Sequence, residues 1–114
     1  MGVPGRRGAA DTGDVLALVR DGDLAKAEAG LRELLAESPN HFLVHHACGE
    51  LWLKKGDLDF ALAHAKRTVE LNPSSGDGYW LLSRIYASKK MKRESGDALG
   101  KACRLGHKAA GCPK

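Results

Sequence analysis

Aromatic side chains are scarce in this chain. Two Trp, two Tyr and two Phe make up 5% of 114 residues, which excludes a large aromatic core and leaves packing to alanine and leucine. Long apolar runs are missing as well. None approaches the ~18–20 residues that cross a bilayer. The basic start, Met1–Gly8, is followed by no hydrophobic segment and so does not read as a signal peptide. Gly2 does not make a myristoylation site, because Arg6 stands where Ser or Thr is wanted. Cysteine is limited to Cys48, Cys103 and Cys112, an odd number with no close pair. That argues against a disulfide framework and for a reducing compartment, so the expected location is cytoplasmic. Catalytic signatures are absent too: there is no G-x-S-x-G, no phosphate-binding P-loop and no H-E-x-x-H. Cys48 beside a histidine is a poor candidate nucleophile from inside a helix, and no enzymatic activity is expected.

What is present is a balanced globular composition, 43% hydrophobic and 28% charged, with a formal charge of +4. The charge is unevenly spread. From Arg84 to Lys114 nine Lys and Arg face only Glu94 and Asp97, while the first 83 residues carry nine against twelve acids. One end is therefore basic and the rest mildly acidic.

The strongest pattern is a repeat. G-D-L-A-K-A at Gly22 returns as G-D-L-D-F-A at Gly56, and the spacing of 34 is shared by Ala27 and Ala61, Ala29 and Ala63, and Pro39 and Pro73. A fixed period of this size marks stacked supersecondary units.

Helical periodicity fills the spaces between the breaks. The first helix covers Asp11–Arg20, capped by Asp11 or Thr12, and Gly22 ends it through a positive φ. The second covers Leu24–Glu37 with Asp23 as cap, and Ser38-Pro39 stops it. The third runs His41–Lys54 with a wide apolar band, and the fourth Leu58–Leu71. Ser74–Gly78 reads as a polar turn with Ser75 or Asp77 as the next cap. Tyr79–Lys89 is the fifth helix. The sixth spans about Met91–Leu105 and is weakened by Gly96 and Gly100, each costing roughly 1 kcal/mol against alanine.

These units resemble tetratricopeptide repeats, whose pattern is W-x2-L-G-x2-Y, then A-x3-F, then P. Residues 42–75 keep Gly49, Trp52, Ala61 and Pro73 at matching positions and depart at His45, Cys48 and Ala65. Residues 76–109 carry Tyr79, Leu82, Ser83, Tyr86 and Leu99 but have Lys90 at the turn glycine and Ser95 at the small alanine. Residues 8–41 match from Gly22 onward. The resemblance implies an all-α fold, an α-solenoid of three repeats with about six antiparallel helices, preceded by a disordered lead at 1–10 and followed by a frayed tail at 107–114.

It also implies where function resides. First helices line the concave groove, and the 34-residue register places Arg20, His46, Glu50, Lys54, Trp80 and Arg84 there, with Leu16, Val19, Leu43 and Leu53 among them. Trp80 is the aromatic anchor, and Arg84 stands four residues on, placed to take a carboxylate. The Lys/Asn/Arg clamp that some family members use for chaperone tails is missing, since Thr12, Leu16 and Ala47 occupy its positions. His41, His45 and Cys48 recur at i, i+4 and i+7, with His64 a possible fourth ligand. His45 and Cys48 fall on packing positions of the repeat, so neither metal nor cofactor is expected. The implied function is a protein–protein interaction scaffold that binds a partner peptide or helix in the groove. Self-association is the main rival, and contact of the basic C-terminal surface with nucleic acid or anionic membrane is the weaker one, because few aromatics interleave those charges.

Overall fold

The computed structural model describes residues 11–107 and Cys112. The described residues are all-helical, with six helices and no strand. They are α1 Thr12–Asp21, α2 Leu24–Glu37, α3 Phe42–Lys55, α4 Leu58–Leu71, α5 Gly76–Ser88 and α6 Lys92–Arg104. No helix among them is long and apolar enough to cross a membrane.

The repeat period is written into the backbone. The α4 bounds are those of α2 shifted by 34 residues, and α6 starts 34 after α4. The breaks obey the same shift. Gly22 and Gly56 both sit at φ 87°, in the left-handed region that costs glycine least. At each, two backbone bonds close the helix end, Gly22 N–H to Val19 and Asp23 N–H to Leu18, then Gly56 N–H to Leu53 and Asp57 N–H to Trp52. This is the Schellman arrangement. The freed chain then starts the next helix at once, because Asp23 and Asp57 accept from Lys26 and Phe60 backbone N–H groups as N-caps.

The third break keeps the geometry without the chemistry. Lys90 and Met91 repeat the two bonds, to Ala87 and Tyr86. Lys90 takes φ 66°, the only non-glycine residue with positive φ in the described chain. Met91 stands where Asp23 and Asp57 stood, and makes no side-chain cap.

Short connections fold each helix back on its predecessor. Consecutive helices pack throughout, and α1, α3 and α5 also touch in sequence. Two buried clusters result, one around Val15, Leu31 and Leu51, the other around Leu81, Ile85 and Ala65, and the partly buried Trp52 packs against both. Small or buried residues recur at equivalent positions where the helices of each pair meet. Val15 and Ala27 are wholly buried in the first. In the second, a Cβ on Gly49 would lie 2.8 Å from Leu81 Cδ2 and 3.6 Å from the Ala61 carbonyl oxygen. The third uses Ser83 and Ser95, whose hydroxyls each donate to the other's backbone carbonyl at 2.9 Å. Ser95 is thus tolerated where alanine is expected because its hydroxyl is satisfied.

Two expectations are corrected. Ser74–Gly78 is not a turn throughout: α5 begins at Gly76, three residues before the predicted start. The Ser75 hydroxyl accepts from Gly78 N–H at 2.9 Å, and Gly78 fits where a Cβ would meet Val69 and Thr68 at 3.0–3.1 Å. Two glycines that read as a break are helical because the cap and the close approach to α4 outweigh their entropy. The cysteine reading also fails: Cys103 and Cys112 form a disulfide, with Cα atoms 5.5 Å apart. The last turn of α6 and Gly106 at φ 93° reverse the chain and bring nine residues of separation within bonding reach. The predicted lead at 1–10 lies outside the described residues, as does the predicted tail except His107 and Cys112.

Candidate functional site

Because α1, α3 and α5 pack side by side, residues at equal register on them face one another. An open cavity of about 560 Å³ results, lined by Leu16, Val19, Arg20, His46, Glu50, Leu53, Lys54 and Arg84. Five of the six predicted groove residues line it. Leu43, also assigned to the groove, is exposed and is not in the lining.

The polar wall is organised by one carboxylate. Glu50 accepts from the Arg84 guanidinium across the α3–α5 seam, and His46 Nε2 stands 3.5 Å from the same oxygen, one turn back on α3. Burial pushes the His46 imidazole below its ordinary value; Glu50 and Asp77 oppose that shift without cancelling it. The ring is therefore neutral at pH 7 and adds no cation to the wall. Arg84 Nε is buried without a hydrogen-bond partner.

Arg20 and Lys54 differ from Arg84. They occupy equivalent last-turn positions of α1 and α3, both are exposed, and neither has an ion-pair partner among the described residues. Three cations thus border the cavity against one carboxylate that is already engaged. Leu16, Val19 and Leu53 supply the apolar side.

Trp80 is the sixth predicted residue, and it is not in the cavity lining. Its ring lies 4.1 Å from the Arg84 guanidinium carbon and stacks on His107 with centroids 4.8 Å apart. His107 was assigned to the frayed tail. The available signal was Gly106, which repeats the Gly22 and Gly56 helix stop and returns the next residue to the fold, since His107 N–H bonds the Ala102 carbonyl.

The histidines and Cys48 suggested for a metal do other work. His41 Nδ1 caps α3 by accepting from Leu43 N–H at 3.1 Å. His45 Nε2 donates to the Pro39 carbonyl at 2.7 Å, and its Nδ1 shares a hydrogen bond with His64 Nδ1 at 3.0 Å. Burial and the neighbouring His45 push His64 below its ordinary value. Cys48 is buried, and desolvation pushes its thiol up to about 12. Among the described residues no group of three or more metal-ligating side chains is poised to hold an ion.

No protein-family model matches the chain, and no curated protein matches it.

Proposed function

We propose that this chain is a non-enzymatic protein-interaction module, built as a three-unit solenoid of the tetratricopeptide type, that binds a segment of a partner protein in the α1–α3–α5 cavity. The observation that carries this reading is the union, in one open cavity, of an apolar side with Arg20 and Lys54, two cations with no ion-pair partner among the described residues. A charged side chain used only for solubility needs no apolar neighbour of this kind. The 34-residue return of helix bounds, caps and close contacts supports the solenoid assignment.

The charge balance selects the partner's chemistry. Glu50 is taken by Arg84, so an incoming carboxylate meets Arg20 and Lys54 without an internal competitor. The favoured ligand is an acidic segment with an apolar residue that rests on Leu16, Val19 and Leu53. Such complementarity mainly steers encounter and selects partners.

The test is affinity capture from cell extract with the wild type and with Arg20→Ala/Lys54→Ala. Neither side chain has an ion pair or side-chain hydrogen bond among the described residues, so the variant should keep its thermal stability and lose its partner. A partner retained at undiminished strength, and at unchanged salt sensitivity, removes the groove assignment. Light scattering over a range of concentrations addresses self-association separately.

A further inference from the structure

Beyond α6 the chain turns at Gly106 and lays His107 over Trp80. His107 Nδ1 stands 2.6 Å from Asp77 Oδ1 on α5. Cys112 Sγ lies 3.3 Å from the His107 carbonyl oxygen, and the same sulfur is bonded to Cys103 on α6. One covalent link therefore brackets His107 in sequence, with α6 before it and Cys112 behind. Trp80 also carries Arg84, whose other partner is Glu50 in the cavity wall.

The noncovalent hold on His107, whose side chain is 18% exposed, is a backbone bond to Ala102, the Trp80 stack and the Asp77 contact. Asp77 has its side chain 74% exposed, so water competes for the His107 bond. A stack of two rings gains from a high local concentration of one beside the other, which is what a short covalent tether supplies. Without the link, only the Ala102 backbone bond, the Asp77 contact and the stack itself keep His107 over Trp80.

We propose that the Cys103–Cys112 pair is a redox clip on this site: oxidised, it holds His107 over Trp80, and reduced, it lets His107 leave and opens the Trp80 ring and the adjoining edge of Arg84 to the partner segment. Its consequence for binding rests on the groove reading; the movement of His107 does not.

The chemistry is ordinary thiol–disulfide exchange with a dithiol reductant. One thiolate of the reductant attacks Cys112 or Cys103 sulfur, the S–S bond breaks, and a mixed disulfide forms. The second reductant thiolate displaces it. Two electrons pass to the protein, two protons end on Cys103 and Cys112, and the reductant leaves as its own disulfide. Cys48 takes no part, because its thiol is 2% exposed and is held in the protonated form.

The experiment follows the two tryptophan indole N–H resonances of the full chain, oxidised and after dithiothreitol, with Trp80 assigned through Trp80→Phe. Thiol titration confirms that the pair has opened. Reduction should shift the Trp80 resonance and raise its acrylamide quenching, while Trp52 stays in place. His107→Ala with the disulfide intact should give the same Trp80 signature without reductant, and Cys112→Ser should give it in air. If the thiols are released and Trp80 keeps its oxidised resonance and quenching, the clip is refuted. If the two cysteines remain thiols in air, it is refuted as well. A captured partner that binds both forms equally removes the regulation and leaves the groove standing; loss of the groove assignment leaves the tryptophan spectra unchanged.

Discussion

Arg84 on α5 gives its guanidinium to Glu50 on α3, the residue 34 positions earlier in the chain and at the same register of the preceding unit. The pair joins consecutive units along the cavity wall. Its side chains are 31% and 20% exposed, so solvent screens it only in part. A double-mutant cycle with Arg84→Ala and Glu50→Ala, followed by urea unfolding, should return a coupling of about 1 kcal/mol. Additive effects would mean that the pair contributes nothing to the α3–α5 contact.

The third break invites repair. Lys90 carries a left-handed φ that costs a side-chain residue about 1 kcal/mol more than glycine, and Met91 leaves α6 without a capping acceptor. Lys90→Gly with Met91→Asp copies the Gly-Asp of the first two breaks. The pair of changes should stabilise the chain by about 1–2 kcal/mol and raise the unfolding temperature. An unchanged midpoint would show that this break gains nothing from the chemistry of the others.

Two glycines inside helices should respond in opposite directions. Gly49→Ala puts a methyl 2.8 Å from Leu81, a fully buried side chain, and should destabilise by about 1–3 kcal/mol. Gly96→Ala meets nothing within 4 Å on an exposed face of α6 and should stabilise by about 0.5–1 kcal/mol. Thermal unfolding of the two variants separates close packing from backbone entropy.

Mild acid should weaken the fold. His46 and His64 are both held below their ordinary value of 6.5, chiefly by burial. The unfolded chain therefore takes up protons first as pH falls through about 6.5, and stability drops from there toward the lower folded values. Glu28 and Asp59 are also lowered, from 4.5 and 3.8, so their contribution is lost only in stronger acid. Urea midpoints at about pH 7.5 and 5.5 should differ, and His46→Gln with His64→Gln should narrow the gap. A gap of the same size in the double variant would assign the effect to other groups.

The shared register of the cavity-lining residues is legible in the sequence, and the reason lies in the period. Once the period of 34 is read, residues such as Arg20 and Lys54 must recur at the same place on successive helices. Arg20, His46, Glu50, Lys54 and Arg84 accordingly meet in one cavity. Trp80 was harder to read, because its neighbour His107 stands at the register of Pro39 and Pro73, where the other units end, and reads as tail. Gly106 announces the turn of the chain, but no local spacing announces that the turn stacks His107 on Trp80.

Local chemistry written in the sequence determined the helices, their Gly-Asp breaks and the buried stripe, since caps and a 3.6-residue period act over a few neighbours. Only the tertiary structure decided that α5 begins at Gly76, that Arg84 is already paired with Glu50, and that Cys103 meets Cys112. Those outcomes depend on which surfaces come within a few ångströms of each other, and contact between distant parts of a chain leaves no periodic trace along it.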